Sequence, residues 1–222
     1  MAAANADELS DEEKRWLCRV RETLEQLSAE QLGAAARVFD VPRSLRATKP
    51  EAYAPQHFAL GPYHHGRPEL RDMERYKLAA AKRAERLFAG GRGIADLARR
   101  FVEIGGEIRR PYHRVLDLGH DTLAWMMAID TCFLLDFIES YRRRRGTPED
   151  MTMVSSAANW VNATVRDAMM IENQLPLRLF AEAIKLRRDA TDDDEKQAAT
   201  ATRDVLCPVI DHFIKHYGKP RI

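Results

Sequence analysis

The apolar stretch from Thr122 to Ile138 constrains the fold more than any other part of the sequence. A helix drawn through it is apolar on nearly every face, which is typical of a helix buried on all sides. Asp130 and Asp136 interrupt the stretch, whereas a membrane-spanning helix needs about 20 mainly apolar residues without such charges near its centre. We therefore expect a core helix from Thr122 to about Tyr141, with Asp121 as its cap.

Helical periodicity continues on both sides of this stretch. Ser10 to Glu13 has the pattern of a capping box, and apolar residues at helical spacing follow it up to Leu27. Further helices are expected over Ser28–Val38, Pro68–Phe88, Ile94–Ile108, Ser156–Glu172 and Pro176–Arg188, and a last helical segment opens at Thr191. There is no strong period-two alternation, hairpin signal or internal repeat. The sequence predicts an all-α fold, an irregular multi-helix bundle around the central apolar helix.

The segment from Pro42 to Arg67 has no sustained periodicity and contains four prolines and two glycines. We interpret it as a long ordered loop rich in Pro, Gly and His. A loop of this length in a compact domain either packs its own side chains or carries function. For the whole chain, we expect an N-terminal helical extension over residues 1–40 and a single helical domain over residues 41–222.

Charge and cysteine usage exclude some partners. The chain has 222 residues and a formal net charge of +1, and a nucleic-acid binder usually carries a clear basic excess. We therefore expect no nucleic-acid partner. Three widely separated cysteines suit a reducing compartment, and no secretory signal is visible at the N-terminus, so a cytoplasmic location is predicted.

The small net charge conceals an internal asymmetry. The first forty residues hold nine acidic and five basic side chains, whereas Lys82 to Arg114 holds nine basic and four acidic ones. Opposite charges attract, so the two segments are complementary. Pairing between them is expected either within the fold or between chains.

Three histidines in the loop, His57, His64 and His65, offer imidazole ligands for a metal ion. An adjacent histidine pair lacks a strong metal-binding spacing, however, and no cysteine lies nearby. We interpret Tyr63 and His64 instead as side chains that anchor the loop through buried hydrogen bonds. We predict no metal site and no cofactor.

The triplet Glu172-Asn173-Gln174 is polar but lies between apolar residues. Desolvation raises the pKa of a carboxyl group, so Glu172 could act as an acid or base, with Asp130 or Asp167 as a second carboxylate. Alternatively, these side chains satisfy the free backbone groups where one helix ends and the next begins. We favour the structural interpretation and predict no catalytic residue.

Several motifs follow one another in order: LGPYHHG at residues 60–66, RPY at 110–112, DTCFLL at 130–135 and ENQLP at 172–176. Together they resemble the plant domain-of-unknown-function family 247, DUF247, over about Val38 to Phe180. The resemblance implies a mostly helical plant protein without an assigned catalytic activity. On these motifs, the structural or interaction candidates are Tyr63, His64, His65, Asp130, Asp167, Glu172, Asn173 and Gln174.

The resemblance also suggests what kind of function to expect. Some grass relatives are male determinants of self-incompatibility and so act in recognition. Relatives usually run longer and often end in a membrane-spanning helix, so this chain resembles a short or truncated member. We expect a non-enzymatic protein that recognises a protein partner, which the sequence does not identify.

Two alternatives stay open. The first is a hydrolase-like enzyme that uses Glu172 or Asp130 with His64 or His65. The second, weaker one is peripheral membrane contact through Arg142, Arg143, Arg144 and Arg145, because a basic run attracts anionic lipid.

Overall fold

The computed structural model describes residues 10–26, 38–144, 163–188, 200–204 and 207. Within these ranges the chain is helical and has no regular strand; an isolated parallel bridge joins Val38 to Tyr112. The prediction of an all-α fold is confirmed. The α-helices in chain order are α1 Asp11–Gln26, α2 Arg43–Thr48, α3 Glu74–Glu85, α4 Ile94–Glu103, α5 Gly105–Arg109, α6 His120–Arg144, α7 over residues 163–168 and α8 Leu177–Arg188, and residues 200–204 are helical as well.

Helix α1 begins at the predicted capping box. The Ser10 amide donates to Glu13 Oε2 at 2.8 Å, and the Glu13 amide donates to Ser10 Oγ at 3.3 Å. Both amides would otherwise lack a partner at the helix start. None of the described side chains of α1 is buried. An ion pair between Arg19 and Asp117 attaches the helix close to the start of α6.

Helix α6 packs against α3, α4 and α8. Its side chains at Met127, Cys132 and Leu135 are completely buried. The Phe133 ring meets Phe58 edge-on, with 5.1 Å between centroids. The helix starts at His120, so Asp121 lies in its first turn and is not its cap, contrary to the prediction.

The segment from Pro42 to Arg67 is not a continuous loop, and that prediction is wrong in its first part. Helix α2 follows Pro42 directly, and a 3₁₀ turn covers Pro50–Ala52. The remaining stretch, which we call the 53–67 loop, has no regular helix. It is ordered around three buried residues, Phe58, Ala59 and Leu60.

Other helix bounds also differ from the predictions. The expected Pro68–Phe88 helix begins as a 3₁₀ turn over Pro68–Met73 before α3. The expected Ile94–Ile108 helix breaks at Ile104, which precedes two glycines, because glycine is a poor helix former. Helix α7 ends at residue 168, so Glu172 lies in a turn and not at a helix end.

Some predictions fall outside the described residues. These are the short helix after Ser28, the first half of the Ser156–Glu172 helix, the start of the segment at Thr191, and the side chains of Arg142 to Arg145. Among the helices that the structure describes, none combines the length and the apolar character that crossing a bilayer requires.

Candidate functional site

The 53–67 loop is held by side chains that come from much later in the chain. Because its backbone forms no helix or sheet, its buried amides need other acceptors. Three buried side chains supply them: Asp130 on α6, Asp167 in α7 and Asn173 in the turn before α8.

Asp167 binds the start of the buried part of the loop. Its Oδ2 atom accepts hydrogen bonds from three consecutive amides, those of Gln56 at 2.9 Å, His57 at 2.6 Å and Phe58 at 3.3 Å. Its other oxygen, Oδ1, accepts from Arg166 Nη2 at 2.9 Å. The carboxylate is fully enclosed, so these donors replace the water that it loses.

Asn173 binds the next part of the loop with both ends of its amide. Its Oδ1 atom accepts from the Leu60 amide at 2.6 Å, and its Nδ2 atom donates to the Phe58 carbonyl at 3.2 Å. The same nitrogen donates to the Asp167 carbonyl at 2.9 Å. Gln174 donates to the carbonyls of Ala168, the last residue of α7, and of Met170, just beyond it, both at 2.7 Å.

Asp130 and Lys77 form a buried ion pair beneath the loop. Lys77 Nζ lies 2.5 Å from Asp130 Oδ1, 2.9 Å from Glu74 Oε1 and 3.1 Å from the Ala59 carbonyl. Asp130 Oδ2 accepts from the Gly61 amide at 2.9 Å. Burial acts to lower the pKa of Lys77, but Asp130 and Glu74 outweigh it and the pKa is raised. Burial raises the pKa of Asp130, although Lys77 acts against it.

Glu172 joins the loop to the segment around α2. Its Oε1 atom accepts from the Val41 amide at 2.7 Å and from the guanidinium of Arg46. Arg114 Nη2 lies 3.8 Å from the same oxygen. The other oxygen, Oε2, lies 3.5 Å from His64 Nε2. Glu172 is only 1% exposed, so the two guanidiniums and the amide compensate the charge that it buries.

His64 is a buried, neutral imidazole. Burial lowers its pKa to about 4, and the charges of Arg67, Arg46 and Arg114 act in the same direction. Neither ring nitrogen has a hydrogen-bond partner among the described residues. The buried hydrogen bond predicted for His64 is therefore not formed: its Nε2 atom lies 3.5 Å from Glu172 Oε2, beyond ordinary hydrogen-bond distance.

Two tyrosines close the loop at Gly61. The Tyr112 hydroxyl donates to the Gln174 carbonyl at 2.8 Å, and the Tyr63 hydroxyl donates to the Val38 carbonyl at 3.1 Å. Gly61 has a φ of +67°, and a Cβ there would lie 2.9 Å from the Tyr112 hydroxyl and 3.0 Å from the Gln174 carbonyl oxygen. Only glycine fits both this backbone conformation and this space.

Six of the eight side chains that the sequence singled out form hydrogen bonds in this network. His64 is buried beside Glu172 without a hydrogen bond of its own, and His65 is exposed. Sequence reasoning missed the arginines: nothing in the local pattern indicates that Arg46 and Arg114 meet Glu172. It also did not single out Lys77 as a candidate. A lysine among buried alanines was the available signal for a buried ion pair.

A second buried carboxylate ties α4 to α8. Glu182 is 1% exposed; its Oε2 atom lies 3.0 Å from Arg100 Nε, and its Oε1 atom lies 2.9 Å from Arg178 Nε and 3.4 Å from Lys185 Nζ. This group also has a structural geometry, because its partners come from two packed helices.

Reactive groups are scarce in the described part of the chain. Burial raises the pKa of Cys132 to about 12, so this thiol stays protonated and is a poor nucleophile. Within the described residues, no group of three or more His, Cys, Asp or Glu side chains is placed to hold a metal ion.

These contacts define a class of protein: an all-helical domain in which buried carboxylate and amide side chains from later in the chain hold the 53–67 loop in place. The match to known families is consistent with it. The DUF247 family, described as plant protein of unknown function, matches residues 38–221, and the chain belongs to this family.

Two curated relatives come from Arabidopsis thaliana. The chain is 32% identical to the putative UPF0481 protein At3g02645 over 183 residues, which covers 82% of this chain and 33% of the relative. It is 30% identical to the UPF0481 protein At3g47200 over 145 residues, which covers 63% of this chain and 29% of the relative. The matched region thus spans about a third of each relative's length. No solved structure matches the chain.

Proposed function

We propose that this chain is a non-enzymatic recognition domain that binds a protein partner through its outer surface. The observation that carries the proposal is the enclosure of Asp130, Asp167 and Glu172, each at most 1% exposed and each bonded to backbone amides. A general acid or base must come within hydrogen-bond reach of its substrate. These carboxylates serve the fold instead.

The hydrolase alternative has one observation in its favour, the 3.5 Å between His64 Nε2 and Glu172 Oε2. Both side chains are enclosed, at 2% and 1% exposure. The other two candidates lie apart from this pair, since Asp130 is paired with Lys77 and His65 is exposed. The geometry therefore favours recognition over hydrolysis.

The turn before α8 offers a surface that suits recognition. Three large apolar side chains around it, Met169, Ile171 and Leu177, are more than half exposed. Apolar side chains with a polar rim are typical of the centre of a protein interface. The backbone beneath them is fixed by Asn173 and Gln174, so this surface is presented rigidly.

A recognition or signalling role of the kind implied for the grass relatives is part of this proposal, as is a cytoplasmic location. The free thiols of Cys18 and Cys132 support that location, because reducing compartments keep thiols unpaired. Contact of Arg142 to Arg145 with anionic lipid stays a separate prediction.

The test combines partner capture with a search for turnover. A partner captured from plant extract is purified and titrated against the wild-type chain by calorimetry. We expect saturable binding that Leu177→Ser weakens. Leu78, on α3, is also more than half exposed, and Leu78→Ser should leave binding unchanged. Saturable turnover of a hydrolase substrate that Glu172→Gln abolishes in a folded protein would overturn the proposal.

A further inference from the structure

We propose that the side chains of Lys77 and Asp130 condense into a covalent amide that cross-links α3 to α6. The ion pair beneath the 53–67 loop is then the state of these side chains before the bond forms. The cross-link is a modification of the chain by its own residues and does not depend on the recognition surface proposed above.

The two reacting groups are already in contact. Lys77 Nζ lies 2.5 Å from Asp130 Oδ1, and both side chains are only 1% exposed. Oδ1 nevertheless has no hydrogen-bond partner among the described residues, so the approach of the amine does not have the angle of a hydrogen bond. Helices α3 and α6 pack against each other and hold the two groups together. Reacting groups fixed at contact distance gain a large rate advantage over the same groups free in water.

The other oxygen of Asp130 is bound by a backbone donor. Its Oδ2 atom accepts from the Gly61 amide at 2.9 Å. When an amine adds to the carboxyl carbon, negative charge develops on the oxygen that stays, and a fixed N–H group aimed at that oxygen stabilises it. Oδ1 has no such donor in the described part of the chain and is therefore the oxygen that leaves.

Glu74 is placed to move the protons. Its Oε1 atom lies 2.9 Å from Lys77 Nζ, and its side chain is 43% exposed. A carboxylate in contact with the attacking amine can take a proton from nitrogen and return it to the leaving oxygen. Because Glu74 reaches both the amine and the solvent, it fits the role of a proton relay.

The step balances without another reactant. The bond between Lys77 Nζ and Asp130 Cγ forms, and the bond between Cγ and Oδ1 breaks. Two of the three ammonium protons leave with Oδ1 as water, and the third stays on the amide nitrogen. One positive and one negative charge become a neutral amide, which removes the cost of keeping an ion pair away from water.

Protonation makes the step slow. Burial raises the pKa of Asp130, which favours the carboxyl form that can lose water. Burial acts to lower the pKa of Lys77, but Asp130 and Glu74 outweigh it and the pKa is raised. The ammonium must therefore pass a proton to one of these carboxylates before it attacks. The neutral amine is a minor species, so the amide accumulates gradually after folding.

Mass spectrometry of the intact, denatured full chain tests this inference. We expect a species about 18 Da lighter than the sequence mass, because one water leaves, and its fraction should grow while the folded protein is incubated. Proteolytic digestion should release a branched product that joins the peptides containing Lys77 and Asp130. Lys77→Arg should abolish both the mass loss and the branched product.

Matched variants test the proton relay. Glu74→Gln should slow formation at least about tenfold, because an amide does not take up the proton. Glu69→Gln, on the 3₁₀ turn before α3, should leave the rate unchanged. Circular dichroism checks that each variant keeps its helices. A folded wild-type chain that retains its full sequence mass overturns the inference, and so does a lighter species whose digest lacks the branched product.

Discussion

Arg46 and Glu172 lie 126 residues apart in the sequence and form an ion pair that fixes α2 against the turn before α8. Glu172 also accepts a hydrogen bond from the Val41 amide, so this one side chain binds both a residue just before α2 and an arginine on the helix. This contact couples the N-terminal part of the family domain to the polar turn before α8 through side chains alone.

Replacing Glu172 should destabilise the fold. Glu172→Ala leaves the Val41 amide and the Arg46 guanidinium without their acceptor, and we expect a loss of about 3 kcal/mol in the free energy of unfolding. Glu172→Gln keeps an acceptor and should cost less. Urea denaturation measures both. Glu69→Gln at an exposed site is the control, and an equal loss there would contradict the assigned role.

The Lys77–Asp130 pair should show strong coupling. Lys77→Met removes the cation from an enclosed carboxylate, and we expect a loss of about 3–5 kcal/mol in stability. Asp130→Asn keeps a side-chain oxygen for the Gly61 amide, and combining it with Lys77→Met removes the unpaired charge. The double variant should therefore be more stable than the sum of the two single losses predicts. Additive losses in a denaturation cycle would argue against a coupled pair.

Gly61 and Gly66 form a matched pair for testing the loop. Both have positive φ, but a Cβ at Gly61 meets Tyr112 and Gln174, whereas a Cβ at Gly66 has nothing within 4 Å. Gly66→Ala should cost about 1 kcal/mol from backbone strain alone, and Gly61→Ala should cost about 2–3 kcal/mol because a clash is added. Thermal and urea unfolding measure the difference. Equal effects would show that the close contact at Gly61 is unimportant.

The buried imidazole of His64 should make stability depend on pH. Its pKa is about 4 in the folded protein against 6.5 for an ordinary histidine, so the unfolded chain binds more protons between these values. Stability is therefore full above pH 6.5 and falls as the pH drops towards 4, by about 3 kcal/mol at most from this group.

Two asparagine variants isolate that contribution. His64→Asn should flatten the stability profile between pH 6.5 and 4 relative to the wild type. His65→Asn, at the exposed neighbouring position, should leave the profile as it is. Denaturant midpoints measured across this pH range compare the three proteins. A wild-type slope that survives in His64→Asn would assign it to the carboxylates instead.

Local signals made part of the fold predictable from sequence. The capping box at Ser10 and the apolar stretch after Thr122 depend on residues a few positions apart, so the start of α1 and most of α6 followed from them. Helix α2 did not, because its six residues carry no apolar period, and its place is set by a contact with Glu172.

The sequence indicated which polar side chains are buried at the candidate site, but not which backbone groups they bond. Polar residues within apolar surroundings, such as Asp130 and Asn173, must be buried and bonded, and this pointed to them correctly. Which backbone amide each would accept depends on the path of the 53–67 loop, and that path has no periodic signal. Arg114 was missed for the same reason.

The separation between the loop and its acceptors has a consequence for synthesis of the chain. Amides of the 53–67 loop, such as those of His57 and Leu60, lack their acceptors until Asp167 and Asn173 are translated, more than 100 residues later. Helices α3 and α4 can form from local contacts while the chain is still growing, whereas the loop reaches its bonded state only after the turn before α8 has emerged. A nascent chain that stops short of Asn173 therefore lacks the acceptor for the Leu60 amide and the donor to the Phe58 carbonyl, two backbone groups that the complete fold buries.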